Sequence, residues 1–296
     1  MEYIPAKTIL SPWFQEGWFA SHYNMNIYRG CCHGCIYCDS RSECYGIQDF
    51  DRVRAKENAL EKLAREIRSK RKKGVVLTGS MSDPYNPYEK EARLTRGALS
   101  ILNEQGFGAA VMTKSPLAVR DADVLCAMLR HSPASVSITI TTAQDALCRK
   151  LERRAAPSSE RFAALNALAK AGVPCGVLLM PLLPFINDTL ENVRQIVQRT
   201  ADVGARWIFA FPDLGVTLRQ NQRAYFYDRL QEDFPGLREK YMRVFGNQYA
   251  CASPHAASLW EAFTSLCAEK GLMYRMEDIS AALEAPYRVE QLSLLP

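Results

Sequence analysis

Three cysteines carry the strongest chemical signal in the chain. Cys31, Cys35 and Cys38 lie in the run Gly30-Cys31-Cys32-His33-Gly34-Cys35-Ile36-Tyr37-Cys38, a C-x3-C-x2-C spacing. Three thiolates this close can hold three irons of a cubane [4Fe-4S] cluster, and the fourth iron stays open to another ligand. The same residues admit two other arrangements. One is a zinc site with His33 as fourth ligand, although His33 lies between two of the cysteines and all four donors fall within eight residues. The other is simple burial, although the Arg, His, Gly and Tyr around the cysteines read as a loop.

The elements that would position this loop follow from periodicity. Tyr23 to Tyr28 reads as a short strand leading into it. A helical pattern over residues 56–73 places Leu60, Leu63, Ala64 and Ile67 on one face. Strands are expected at 74–78, 108–113, 134–142, 174–180 and 206–211. Between them, helices are expected at 95–105, 121–131, 159–171 and 189–203. Six strand-then-helix units with short connections imply a parallel sheet with right-handed crossovers, either an open sheet or a barrel. Beyond Asp213 the rhythm changes, and residues 219–275 read as mainly helical. The expected organisation is a barrel over residues 1–215, a helical extension packed on it over 216–285, and a tail over 286–296.

Composition narrows the function classes. The 296 residues are 48% hydrophobic and 23% charged, with a formal net charge of +5, as in ordinary globular proteins. That charge suits a polyanionic partner without demanding one. Ten cysteines could form a disulfide framework, but their tight cluster and the absence of a secretory signal favour free thiols in a reducing cytoplasm. No run of 18 apolar residues suggests a membrane span.

The loop and its surroundings resemble the radical S-adenosylmethionine (SAM) enzymes, and in particular the spore photoproduct lyase-like branch. The resemblance rests on the entry Tyr28-Arg29-Gly30-Cys31 and the segment His33-Gly34-Cys35-Ile36-Tyr37-Cys38. It extends to Gly79-Ser80-Met81-Ser82-Asp83-Pro84-Tyr85 and Thr113-Lys114-Ser115. Two further segments match, Leu151-Glu152-Arg153-Arg154-Ala155-Ala156-Pro157-Ser158 and Pro181-Leu182-Leu183-Pro184-Phe185-Ile186-Asn187-Asp188. It implies an α/β fold of the (β/α)6 partial-barrel type, a [4Fe-4S] cluster on Cys31, Cys35 and Cys38, and SAM chelated to the open iron. One electron from the cluster would then release a 5′-deoxyadenosyl radical.

Ligands of parallel barrels gather at the C-terminal ends of strands, and that rule orders the remaining candidates. By resemblance, the turn Gly79, Ser80, Ser82 and Asp83 after the second strand meets the SAM amino group. Lys114 after the third strand suits the SAM carboxylate. Two-residue alternation puts Ser137, Thr139 and Thr141 on one face of the fourth strand, where hydroxyls could reach the ribose. Glu152 and Arg161 would hold SAM or shape its pocket. Tyr37 would pack on the cluster or the adenine.

Substrate clues are fewer. Spore photoproduct lyase reverses a thymine dimer in DNA, using a cysteine near the second-strand turn as hydrogen donor; here that position is Ser80. Cys44, Cys148 and Cys251 are the alternative donors. The end of the chain, Gln291-Leu292-Ser293-Leu294-Leu295, resembles the short peptide that docks repair proteins on the sliding clamp. Arg41, Arg149, Lys150, Arg153, Arg154 and Arg219 are candidates for phosphate contact, and Tyr225 or Tyr227 for stacking an extruded base. The run from Lys62 to Lys73 falls at the opposite end of the barrel. The leading expectation is a radical SAM enzyme acting on DNA, reduced by a flavodoxin or ferredoxin. RNA, peptide or small-molecule substrates are the alternative. A non-catalytic iron–sulfur or zinc module recruited to the clamp is the other class.

Overall fold

The computed structural model describes residues 1–13 and 17–288; the clamp-like segment at 291–295 lies outside them. Among these described residues are twelve strands and eleven helices. The strands are β1 (Glu2–Ile4), β2 (Leu10–Pro12), β3 (Ser21–Met25), β4 (Tyr28–Arg29), β5 (Arg54–Lys56), β6 (Val75–Thr78), β7 (Gly108–Thr113), β8 (Ala134–Thr139), β9 (Cys175–Leu178), β10 (Trp207–Phe209), β11 (Val216–Thr217) and β12 (Ala250–Cys251). The helices within the barrel are α1 (Ala59–Arg68), α2 (Glu89–Ala92), α3 (Leu94–Glu104), α4 (Ala122–Met128), α5 (Asp145–Leu151), α6 (Ser158–Lys170) and α7 (Leu190–Asp202). The extension adds α8 (Gln222–Asp233), α9 (Leu237–Phe245), α10 (Ala256–Glu269) and α11 (Met276–Glu284).

Seven strands form one sheet in the order β10-β9-β8-β7-β6-β3-β2. The six from β3 to β10 run parallel, and β2 adds an antiparallel edge to β3. This is the six-unit partial barrel expected from the alternation of elements. Period-two packing builds it. Val76, Ala109, Val111, Val136, Ile138, Val177 and Ile208 face the helices. Val75, Leu77, Ala110, Leu178, Trp207 and Phe209 face the concave interior. The helices close the outer layer with apolar stripes. In α1, Ala59, Leu63 and Ile67 are buried at four-residue intervals. Burying Leu63 and Ile67 contributes roughly 1.5–3 kcal/mol each. At the start of α7 the Thr189 hydroxyl accepts the Asn192 backbone N–H at 3.2 Å, a cap contributing about 1 kcal/mol.

Three features depart from the sequence reading. The expected strand at 23–28 is two elements: β3 stays in the barrel, while β4 leaves it and pairs with β5 in a small sheet that also takes β1. The expected strand at 134–142 ends at Thr139, because its neighbour β9 ends at Leu178 and the last bond is Ile140 N–H to the Leu178 carbonyl at 3.1 Å. The extension reaches inside the barrel as well as packing beside it: Ile279 and Leu283 of α11 join Trp18, Phe19, Trp207 and Phe209 in the concave core. Among the described residues no helix is long and apolar enough to cross a membrane.

Candidate active site

A cavity of about 200 Å³ opens between the cysteine loop and the C-terminal ends of the strands. Cys31, Cys35 and Cys38 line it together with Gly79, Ser80, Ser82, Asp83, Lys114 and Thr139. Nine of the residues expected from sequence therefore converge on one space. Met112, Leu178 and Met180 add apolar walls. Cys32 does not line it.

Backbone geometry holds the loop around this space. Gly30 has φ +80°, and a Cβ there would stand 2.5 Å from the Arg52 carbonyl oxygen, so the chain turns only with glycine. Cys31 N–H then donates to the Phe50 carbonyl at 2.8 Å, Ile36 N–H to the Leu151 carbonyl at 2.9 Å and Arg154 N–H to the His33 carbonyl at 2.9 Å. The loop is thus stitched to the segment after α5, and Cys35 pairs with Glu152 as an isolated bridge.

Gly79 is the second constrained glycine. Its φ is +102°, and a Cβ would fall 1.8 Å from the Met112 carbonyl oxygen. Gly79→Ala must therefore push the 79–83 turn away from β7, into the cavity or out of it. We expect loss of SAM binding in equilibrium dialysis together with a lowered melting temperature; unchanged binding would show that the turn does not shape the site.

Asp83 is the organising group of this wall rather than an open ligand. Its Oδ1 accepts from the Thr113 hydroxyl at 2.6 Å and from Tyr85 N–H at 2.8 Å. Its Oδ2 accepts Lys114 N–H at 2.8 Å and lies 3.4 Å from His33 Nδ1. The carboxylate thereby ties the loops after β6 and β7 to the cysteine loop. His33 itself lines the cavity beside the three cysteines. Ser82 donates its hydroxyl to the Tyr28 carbonyl at 2.9 Å, which engages that hydroxyl. Ser80 donates to Asn24 Oδ1 at 3.2 Å.

Behind the loop lies a buried polar network. Tyr37 does not reach the cavity: its hydroxyl donates to Glu152 Oε1. Arg161 Nη1 stands 2.5 Å from Glu152 Oε2, and both residues are essentially fully buried. Arg161 also donates to the Ala156 and Thr139 carbonyls at 2.7 and 2.8 Å. Burial pushes the Glu152 carboxyl up, but Arg161, Lys114 and the Tyr37 hydroxyl outweigh it and hold the group below its ordinary value. Burial likewise pulls the Lys114 ammonium down, while Cys35 and Glu152 more than compensate and keep it charged. Glu152, Arg161 and Tyr37 thus support the loop, and Lys114 is the cation that faces the cavity.

Other expected residues lie elsewhere. Ser137 points into the barrel as alternation requires, but it accepts the Trp207 indole N–H at 3.2 Å below the cavity. Thr141 is buried, and its hydroxyl has no partner among the described residues. None of the three alternative hydrogen donors reaches the site. Cys148 is packed between Glu152 Oε2 at 3.5 Å and Arg161 Nη2 at 3.6 Å, Cys251 is buried in the extension beside β11, and exposed Cys44 lines a separate groove. Tyr225 is covered by the guanidinium of Arg41 at 3.9 Å, and Tyr227 is buried, so neither is placed to stack a base. Of the basic candidates, Arg41, Arg153 and Arg219 are paired with Asp51, Glu232 with Asp233, and Asp39. Lys150 lies over the Phe234 ring at 5.5 Å. Arg149 and Arg154 remain exposed without a carboxylate partner among the described residues.

The donor set fits a cluster better than a single ion. All ten cysteines are unpaired thiols. Burial, then Asp83 and Cys38, push the Cys31 thiol up to about 12, and burial raises Cys35 and Cys38 as well. Three thiols crowded this way become thiolates readily only beside a strong positive charge. Among the described residues no three His, Cys, Asp or Glu gather tightly enough for one metal ion. The three cysteines share the lining of one cavity.

Comparison with known proteins agrees with this geometry. Residues 25–198 match the Radical SAM superfamily. An uncharacterized protein of Mycobacterium tuberculosis is 30% identical over 231 residues, 75% of this chain and 67% of that protein. One from Methanocaldococcus jannaschii is 29% identical over 214 residues, 71% of this chain and 77% of that protein. Among solved structures, a spore photoproduct lyase variant with bound AdoMet and dinucleoside spore photoproduct shares the fold. Its TM-score is 0.64 at 14% identity, covering 86% of this chain and 77% of that one. The fold and the site define a radical SAM enzyme, and the chain belongs to that superfamily. Members use a [4Fe-4S] cluster and SAM.

Proposed function

We propose that this protein cleaves SAM reductively and directs the resulting radical at DNA, in lesion repair or base modification. The observation that supports it most is the convergence of Cys31, Cys35 and Cys38 with the turns after β6 and β7 on one cavity. When bound, the cluster and SAM supply a 5′-deoxyadenosyl radical that abstracts hydrogen. The protein's part is orientation and exclusion of water. The three thiolates would hold three irons, the 79–82 turn would offer carbonyls to the SAM amino group, and Lys114 would balance its carboxylate. Thr139, at the end of β8, lines the cavity and would offer its hydroxyl to the ribose.

Two observations favour DNA as substrate class. The solved lyase of similar fold carries a dinucleoside photoproduct, and exposed Arg154, whose N–H meets the His33 carbonyl, has no carboxylate partner among the described residues. Ser80 argues against thymine-dimer reversal, since a hydroxyl is a poor hydrogen-atom donor and this one is bonded to Asn24. The ten unpaired cysteines support a reducing cytoplasm, with a flavodoxin or ferredoxin as reductant. The Gln291–Leu295 segment would recruit the enzyme to the sliding clamp.

The test is direct. Anaerobic, reduced protein with SAM is expected to release 5′-deoxyadenosine. Deuterium from one member of a panel of labelled DNA lesions is then expected in that product. Absence of release from a protein with intact cluster and bound SAM would refute the catalytic reading. Release without transfer from any DNA would refute the substrate.

A further inference from the structure

A second cavity, of about 230 Å³, adjoins the first. Its lining includes Asn26, Arg29, Tyr45, Lys56, Met81 and Ser82. Met81 and Ser82 also line the cysteine cavity, so the two spaces lie on either side of the turn that carries Ser80. Arg29 comes from β4 and Lys56 from β5, and the antiparallel pairing of these strands brings Arg29 opposite Arg54, two residues before Lys56. Two cations therefore line one small space.

Neither cation has a carboxylate within ion-pair distance among the described residues. Arg29 Nη2 donates to the Gly46 carbonyl at 2.6 Å, and Lys56 Nζ to the Thr8 carbonyl at 3.1 Å. Each keeps further N–H donors free. Glu66 is the nearest acidic influence on Lys56, but its oxygens are engaged by the Ile9 and Leu10 backbone N–H groups at 2.7–3.2 Å. Burial, Arg29 and Lys62 together pull the Lys56 ammonium down. An anion entering the cavity relieves that repulsion.

We propose that Arg29 and Lys56 form a phosphate-binding subsite that takes a DNA phosphodiester next to the reacting nucleotide. The proposal rests on the DNA reading above. A fork-shaped guanidinium and a point-like ammonium converging on one space match a tetrahedral oxyanion. The volume admits a phosphate with solvent, since a water's share of liquid is about 30 Å³. The shared wall would fix how far the held phosphate stands from the radical. The subsite thereby selects which nucleotide of a strand is presented.

Salt dependence tests this with the full chain. Binding of a single-stranded oligonucleotide is measured by fluorescence anisotropy across a salt series. Each lost phosphate contact lowers the slope of log K against log[salt] by roughly 0.7. Arg29→Gln and Lys56→Gln should each show that reduction, Lys56→Arg should restore it, and Arg68→Gln at the far end of α1 should leave it unchanged. Unchanged slopes in Arg29→Gln and Lys56→Gln, against a salt-dependent parent, would overturn the subsite while leaving the DNA reading intact. A parent without salt-dependent binding would remove both. Protection of the parent, but not of Lys56→Gln, by inorganic phosphate with indifferent oligonucleotide binding would assign the cavity to free phosphate and overturn the DNA form.

Discussion

Replacing Cys35 with alanine is expected to remove the bound iron and abolish SAM cleavage, whereas Cys32→Ser keeps both. The contrast follows from geometry that spacing alone leaves ambiguous, because Cys31 and Cys32 are adjacent. Cys31, Cys35 and Cys38 border the cavity; Cys32 does not, and its half-buried side chain packs against the outer core instead. A cubane held at three corners cannot lose one without exposing an iron to solvent. Cys35 is also the corner whose backbone is bridged to Glu152, so its position is the most constrained. The substitution removes one sulfur from a packed loop, which costs about 1–2 kcal/mol of a total near 5–15. The apoprotein should therefore remain folded, as circular dichroism would show. Iron analysis and visible absorbance read the outcome. Full iron in Cys35→Ala, or none in Cys32→Ser, would sink the ligand assignment.

The barrel was legible in the sequence for a physical reason. Each central strand is buried on both sides and reads as an apolar or β-branched run, as in Val75–Thr78 and Gly108–Thr113, while helices such as α1 keep a single apolar stripe. The small sheet of β1, β5 and β4 was not legible, because strands of two or three residues are too short to show a period. The three cysteines that line the cavity were legible through local spacing, and the turn after β6 through the resemblance. Ser137 was placed on the correct face by alternation, yet the Trp207 indole that occupies it comes from 70 residues away. Single residues such as Cys44, Cys148 and Cys251 carry no periodic information, so their positions waited on tertiary packing. The same limit hid the role of Glu152, whose hydroxyl partner Tyr37 is 115 residues distant.

That buried network supports the largest expected loss of stability. Glu152→Gln leaves the Arg161 guanidinium, essentially fully buried, without its counter-charge. Breaking a buried pair from one side typically costs about 3–5 kcal/mol, a large part of ordinary stability. Arg161→Met costs a comparable amount, because the Thr139 and Ala156 carbonyls lose their donors as well. The two losses should not add, since the second substitution removes the charge that the first leaves stranded. Joint replacement is nevertheless expected to stay below the parent: the Ala156 and Thr139 carbonyls remain buried without the Arg161 donor, each at about 1–3 kcal/mol. Urea titration of the four proteins measures this coupling. Additive losses would mean that Glu152 and Arg161 act independently. The network also connects stability to chemistry. Tyr37 immediately precedes Cys38, and Glu152 bridges Cys35 through the backbone. Iron uptake by Glu152→Gln should therefore fall even where the protein is folded. A stable Glu152→Gln protein with full iron content would show that the network packs the barrel without positioning the thiolates.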